Sequence, residues 1–381
     1  MAILLSNHKL KQYLLYQDKP PLLRPAKTTK IEDNKKEVDN LHLKQVLDKN
    51  QDENYLLRSY SYLFNYYIIN NPRKFLNKNK QIMALKRTRF APSPNGKLHL
   101  GHAFSAIISE RLAKKNNGEF IVRIEDIDIG RTSRENEELI IADLNWLNIK
   151  FDEKKIRRQS EYFELYEVYL KRLRDLDLVY PCWATRSEIK KTIKSNKIKH
   201  SNWPIDPDGQ YIYPGIYKNI SPAKRSGMML SGKDFSWRLD IEKAINLAQD
   251  ILKSKIFFQE VGLEPIGKRL AEPHLYGDII IARKDIPTSY HLSVTIDDFE
   301  QNINLVTRGL DIYPATSIHR LLQVIFDLPE PEWFHHNLIR DKQGIKLSKT
   351  SNSTSIEFYR NNGISSKKLI DKINKIEPFP I

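Results

Sequence analysis

From residue 87 onward the chain alternates short apolar runs with longer stretches of helical spacing. Residues 88–91 read as a strand; Pro92, Pro94, Asn95 and Gly96 break it, and Leu98, Ala103, Ala106 and Ile107 then recur at helical intervals. A helix over 103–117 is predicted to stop at Gly118, and a strand over 120–124 to run into the acidic Glu125-Asp126-Ile127-Asp128. Helices are predicted over 133–147 and 161–176, the second ending at Tyr180-Pro181-Cys182. The regular signal then degrades into a Lys-rich stretch (190–199) and a Pro- and Gly-bearing stretch (204–215). It returns as a predicted strand over 290–295 (YHLSVT), the acids Asp297-Asp298, a strand over 303–307, Arg308-Gly309, a helix over 317–326, and the loop Lys346-Leu347-Ser348-Lys349-Thr350. Alternating strands and helices imply an α/β fold with parallel strands and right-handed crossovers, and ligands of such sheets gather at the carboxyl ends of the strands.

The pattern divides the chain. Residues 1–84 show no sustained period and are read as an N-terminal extension, with Met83 as an alternative natural start; 85–178 form a first half of the α/β domain, 179–288 a smaller α+β insertion, and 289–381 the second half. The formal charge is +15, of which residues 1–82 supply +7 from 15 basic against 8 acidic residues. Such a balance favours a polyanionic partner or, equally simply, a solvated basic surface. A single cysteine, Cys182, excludes an internal disulfide and a multi-cysteine zinc site. No apolar run reaches membrane-spanning length and no charged leader opens the chain, so a cytoplasmic protein with no membrane partner is expected.

The stretch 89–102 (RFAPSPNGKLHLGH) carries the densest candidate chemistry. Its loop precedes a helix start, where unpaired N–H groups and the positive end of the helix dipole attract anions, and two histidines sit there three residues apart. On their own, histidines at a helix start more often cap it, and the two lysines of KLSKT more often lie on a solvated loop. Both readings change when the blocks are taken together. RFAPSPNGKLHLGH, VRIEDID, YHLSVTIDD, VTRGLD and KLSKT, in this order, resemble the glutamate-type class I aminoacyl-tRNA synthetases over roughly 87–355.

The resemblance implies a Rossmann-like parallel sheet with helices on both faces, interrupted by a tRNA-contacting insertion, and an enzyme that joins glutamate to the α-phosphate of ATP with Mg²⁺. It implies catalytic roles for His99, His102, Lys346 and Lys349; contacts to ATP from His99, Gly101, His102 and Lys349; and contacts to L-glutamate from Arg89, Phe90, Ala91, Pro92, Ser93, Glu125, Tyr290 and Arg308. The residue types suit the task. Adenylation needs charge compensation more than a base, and glutamate needs guanidinium forks for its carboxylates and an acid for its ammonium. Which arginine takes which carboxylate stays open, and Asp126 and Asp128 are left outside the site. Only 31 residues follow Thr350, too few for the helical anticodon-binding domain of the full-length branch. The chain therefore resembles the family's shortened branch, which implies queuosine-bearing tRNA(Asp) as acceptor. A shortened enzyme charging tRNA(Glu) and a non-catalytic tRNA-binding regulator remain as alternatives. Where many relatives hold zinc, this chain has Cys182, Ala184, Tyr213 and Tyr217; no metal is expected there, and Trp183, Tyr213 and Tyr217 are expected to pack apolar surface. A monomer is expected.

Overall fold

The computed structural model describes residues 85–199, 202–340 and 354–380. The expected extension 1–84, with Met83, and the KLSKT loop, with Lys346 and Lys349, lie outside the described residues.

β1 (Arg87–Phe90) pairs in parallel with β2 (Glu119–Ile124), and β2 with the short β3 (Arg157–Arg158). A second sheet has the order β7 (Gly267–Leu270), β6 (Phe257–Glu260), β10 (Glu332–His336), β9 (Leu305–Gly309). It is parallel except for the β6–β7 hairpin. The two sheets abut along β1 and β9: Arg87 N–H donates to Asn304 Oδ1 at 2.8 Å, and Asn304 N–H to Arg87 O at 3.3 Å. β6 and β7 come from within the stretch read as an insertion, yet pair with β10.

The two-residue period of β1 and β2 separates two faces. Phe90, Phe120, Val122 and Ile124 enter one core with α1 (Leu100–Lys115) and α2 (Arg134–Trp146). Arg89 and Arg123 point the other way, toward α7 (Tyr290–Glu300). Helices therefore cover both faces, as expected. The N-terminal boundaries follow local capping: His99 caps α1 and Ser133 caps α2, its hydroxyl accepting from Asn136 N–H at 3.2 Å.

The strand expected over 290–295 is wrong, because this stretch opens α7. YHLSVT alternates locally, but Leu292 to Phe299 are all buried, with α3 (Phe163–Asp175), β8 (Ile280–Ala282) and α8 (Thr316–Ile325) packed around the helix. A helix buried on every side loses its polar stripe, so a short window of β-branched residues mimics a strand.

The insertion's own sheet is antiparallel, β4 (Val179–Cys182), β5 (Ser236–Leu239) and β8. The expected packing is found here. Tyr213 is buried with Tyr180 and Cys182, Cys182 Sγ–H donates to Tyr213 Oη at 3.3 Å, and the Trp183 and Tyr217 rings lie 5.6 Å apart. Among the described residues no three His, Cys, Asp or Glu side chains are grouped to hold a metal, and no helix is long and apolar enough to cross a membrane.

Gly118 ends α1 where β2 begins, and a Cβ there would lie 1.7 Å from the Lys86 carbonyl oxygen at the start of β1. That contact is backbone and cannot swing away. Gly118→Ala is expected to destabilise the fold by about 2–3 kcal/mol, read as a lower denaturant midpoint at unchanged m-value.

Candidate active site

The first turn of α1 carries two histidines in a reciprocal cap. His99 Nδ1 accepts the Gly101 N–H, and His102 Nδ1 accepts the His99 N–H, both at 3.1 Å, with the rings stacked 3.7 Å apart. An Nδ1 that accepts is unprotonated, so each neutral ring carries its hydrogen on Nε2. Capping and anion binding are thus compatible: one nitrogen orders the helix start while the other is a donor at its positive end. A Cβ at Gly101 would crowd the His99 ring, meeting it at 3.0 Å. The chain just beyond the KLSKT loop is stitched to the same turn. Ile356 N–H donates to Leu98 O at 2.8 Å, and Lys97 pairs with Glu357 at 2.5 Å.

Arg89 and Glu125 stand at the carboxyl ends of β1 and β2. Arg89 is buried and grips Asp298 of α7 with Nε at 2.9 Å and Nη2 at 3.3 Å, while Nη1 donates to Thr307 O at 2.9 Å. The fully buried Arg123, two residues before Glu125, reaches Asp298 at 2.8 Å and Glu125 at 3.3 Å. Burial alone would lower the Arg123 pKa, but Asp298, Asp297 and Glu125 hold it above its ordinary value. Asp298 runs the opposite way: burial would raise its pKa, and Arg89 and Arg123 pull it below the usual carboxylate range. For Glu125 burial prevails over Arg123 and Arg89, and its pKa is raised.

Arg308, on β9, is equally buried but differently paired. Its Nε donates to His335 Nε2 at 3.2 Å, Nη1 to His319 Nδ1 at 3.0 Å, and Nη2 to the Thr316 hydroxyl. All three acceptors are neutral, and no carboxylate forms an ion pair with it among the described residues. Burial lowers its pKa, partly offset by Tyr290, which lies within hydrogen-bonding range. Arg89, Arg123, Arg157 and Arg308 against Glu125, Asp297 and Asp298, four cations and three anions, leave this cluster one positive charge in excess.

Residues 86–376 match the family model for the catalytic domain of class I tRNA synthetases (E and Q). The chain belongs to this family. It is 39% identical over 282 residues to the glutamyl-Q tRNA(Asp) synthetase of Rhodobacter capsulatus, a match covering 73% of this chain and 96% of that one. The glutamate–tRNA ligase of Aquifex aeolicus is 33% identical over 290 residues, covering 76% of this chain and 56% of the ligase. A crystal structure of the glutamate–tRNA synthetase from Elizabethkingia anophelis superposes with a TM-score of 0.61 at 24% identity, over 76% of this chain and 61% of that one, and supports the fold. The chain is a class I ligase, and its family uses ATP and tRNA.

In this family frame, Arg89, Glu125, Tyr290 and Arg308 come together: each of Glu125, Arg89 and Arg308 acts electrostatically on the half-buried Tyr290. Phe90 does not join them; its side chain enters the core beside α1. Pro92 contributes its carbonyl, which accepts the Glu125 N–H at 3.0 Å and so ties Ala91 to Ser93 to the end of β2. Asp126 is engaged with Ser160 at 2.8 and 2.6 Å, and Asp128 with Arg131 and Arg283, which suits their omission from the site. Sequence reading missed Arg123, Asp298, Thr316, His319, His335 and Glu260. Arg123 had a signal, because it lies two residues from Glu125 and shares its side of the strand.

Asp298→Asn is expected to destabilise the protein by roughly 3–5 kcal/mol, since it leaves two buried guanidinium groups undercompensated. The sign with pH follows from the depressed pKa of Asp298. Its contribution is fully present above the unfolded value near 3.9 and is lost as pH falls through the folded value. Denaturation of both proteins between pH 7 and 3 is expected to show a gap that is constant above about pH 5 and narrows below it.

Proposed function

We propose that this enzyme activates glutamate with ATP and transfers the glutamyl group to queuosine in the anticodon of tRNA(Asp). The observation that carries the amino-acid assignment is Arg308, a buried cation whose hydrogen-bond partners among the described residues are neutral, in a cluster with one excess positive charge. Zwitterionic glutamate carries one net negative charge and matches it; glutamine carries none. The side-chain carboxylate goes to Arg308 with Tyr290 beside it, and the ammonium to Glu125, which it helps to keep ionised. Arg89, already neutralised by Asp298, shapes the pocket between them.

An oxygen of the glutamate α-carboxylate then attacks the α-phosphorus of ATP. The new bond is O–P, the bond broken is that to the bridging oxygen of the leaving pyrophosphate, and no proton is transferred. Nε2–H of His99 and His102 donates to phosphate oxygens as charge shifts onto them. Lys346 and Lys349 supply further positive charge. Mg²⁺ enters as the counter-ion of ATP. In the second step a hydroxyl oxygen of queuosine bonds to the glutamyl carbonyl carbon, the bond from that carbon to the AMP oxygen breaks, and the hydroxyl proton passes to the departing AMP phosphate. Queuosine as acceptor is supported by the similarity to the Rhodobacter protein, which is higher in identity than that to the Aquifex ligase and covers 96% of the relative's length against 56%.

Labelled glutamate and ATP with queuosine-bearing tRNA(Asp), unmodified tRNA(Asp) or tRNA(Glu) separate the readings. Label is expected on the first alone; label on tRNA(Glu) alone would assign a shortened glutamate–tRNA ligase. His99→Asn keeps a good N-cap residue but removes the Nε2–H. It is expected to slow glutamate-dependent pyrophosphate exchange at least ~100-fold while changing stability by less than about 1 kcal/mol. Exchange at the wild-type rate would dismiss the phosphate role of this ring.

A further inference from the structure

Beneath Arg308 lies a chain of buried groups to which the reaction assigns no task. His335 on β10 is the register partner of Arg308 on β9, and Glu260 is the last residue of β6, whose register partner is Trp333 of β10. Both side chains are fully buried. His335 Nε2 faces Arg308 Nε at 3.2 Å and the Thr316 hydroxyl at 3.1 Å, while its Nδ1 lies 2.5 Å from Glu260 Oε2.

The donors fix the proton. Arg308 Nε can only donate, so His335 Nε2 must accept and the ring hydrogen must sit on Nδ1, where it donates to the Glu260 carboxylate. Glu260 is held as an acceptor in turn. Its Oε1 receives the N–H groups of Gly262 at 2.8 Å, Leu263 at 3.0 Å and His335 at 3.3 Å. On the other side of the guanidinium, His319 Nδ1 accepts from Nη1, so its Nε2–H points to His291 Nδ1 at 3.3 Å. Arg308 is thus aimed through imidazole acceptors instead of a carboxylate. An imidazole fixes direction without cancelling charge, which keeps the full cation for an incoming anion. A carboxylate directly against Arg308, such as Asp298 against Arg89, would have neutralised it.

We propose that Glu260 and His335 are positioning residues for amino-acid selection: Glu260 sets the His335 tautomer, and that tautomer orients Arg308 toward the substrate's side-chain carboxylate. The inference rests on Arg308 being that carboxylate's seat. It assigns a specificity role to two residues on strands outside the motifs that mark the family in the sequence.

Glu260→Gln is the direct test. The glutamine oxygen can keep the backbone N–H bonds, but its NH₂ would then face His335 Nδ1 and drive the ring hydrogen to Nε2, against the Arg308 Nε–H. In pyrophosphate exchange with the full chain, KM for glutamate is expected to rise at least ~10-fold, with KM for ATP within ~2-fold and a thermal midpoint near wild type. Nitrogen NMR of histidine-labelled protein is expected to move one ring from the Nδ1–H to the Nε2–H tautomer. His335→Gln, whose amide can donate to Glu260 and accept from Arg308, is expected to retain more glutamate affinity than His335→Leu. An unchanged KM for glutamate in Glu260→Gln, or an equal rise in both KM values with a lowered midpoint, would overturn the proposal. Arg308→Lys tests the underlying reading separately: if it leaves KM for glutamate unchanged, the carboxylate seat lies elsewhere. If it raises that KM and Glu260→Gln does not, the seat stands and the positioning role falls.

Discussion

The carboxylate of Asp298 holds the catalytic half of the molecule together. It sits in the last turn of a helix buried on all sides and takes Arg89 from one strand and Arg123 from the next. A helix on one face of the sheet is thereby locked in register with two strands. Its neighbour Asp297 does the same for the chain beyond β2, accepting from Gln159 and Tyr166 at 2.8 Å and pairing with Arg157 at 2.8 Å. Buried ion clusters gain little over apolar packing of equal volume but are costly to half-remove. Their contribution here is position: they fix where Arg89 and Glu125 stand relative to the strand ends.

The two arginines of the pocket then divide by partner. Arg89 is neutralised by Asp298 and acts as part of the wall. Arg308 is surrounded by imidazole and hydroxyl acceptors and keeps its charge. A cation in that state is expensive when the pocket is empty, as its lowered pKa reflects, and the cost is recovered when an anion arrives. The imidazoles can serve because burial and the nearby guanidinium push them toward the neutral form: His291 and His335 are lowered to about 4.

The first turn of α1 uses the same residue type for a different purpose. Stacked His99 and His102 satisfy the first turn of their helix through Nδ1 and thereby commit Nε2 to donation. Ordering the helix start thus also fixes the tautomer of both rings. In the insertion, Cys182 and Tyr213 are buried against each other, with Tyr217 packed against them and paired with Trp183.

The sequence alone determined the parts of this protein whose cause is local. Pro92 to Gly96 force the loop, Gly118 stops a helix, Ser133 starts one, and the ordered blocks around His99, Glu125 and Arg308 announce the family. Apolar spacing together with the flanking breakers was enough for β1, β2, α1 and α2, whose ends are marked by Pro92 to Gly96, Gly118 and Ser133. It failed at 290–295, where burial on every side erased the period that distinguishes helix from strand. Tertiary structure alone decided what Arg308 touches. His335 and Glu260 reach it only because β10 lies between β9 and β6, and no spacing along the chain encodes that order. Arg89 and Arg308 look alike as letters. Which of them remains an uncompensated cation depends on whether a carboxylate or an imidazole is folded against it.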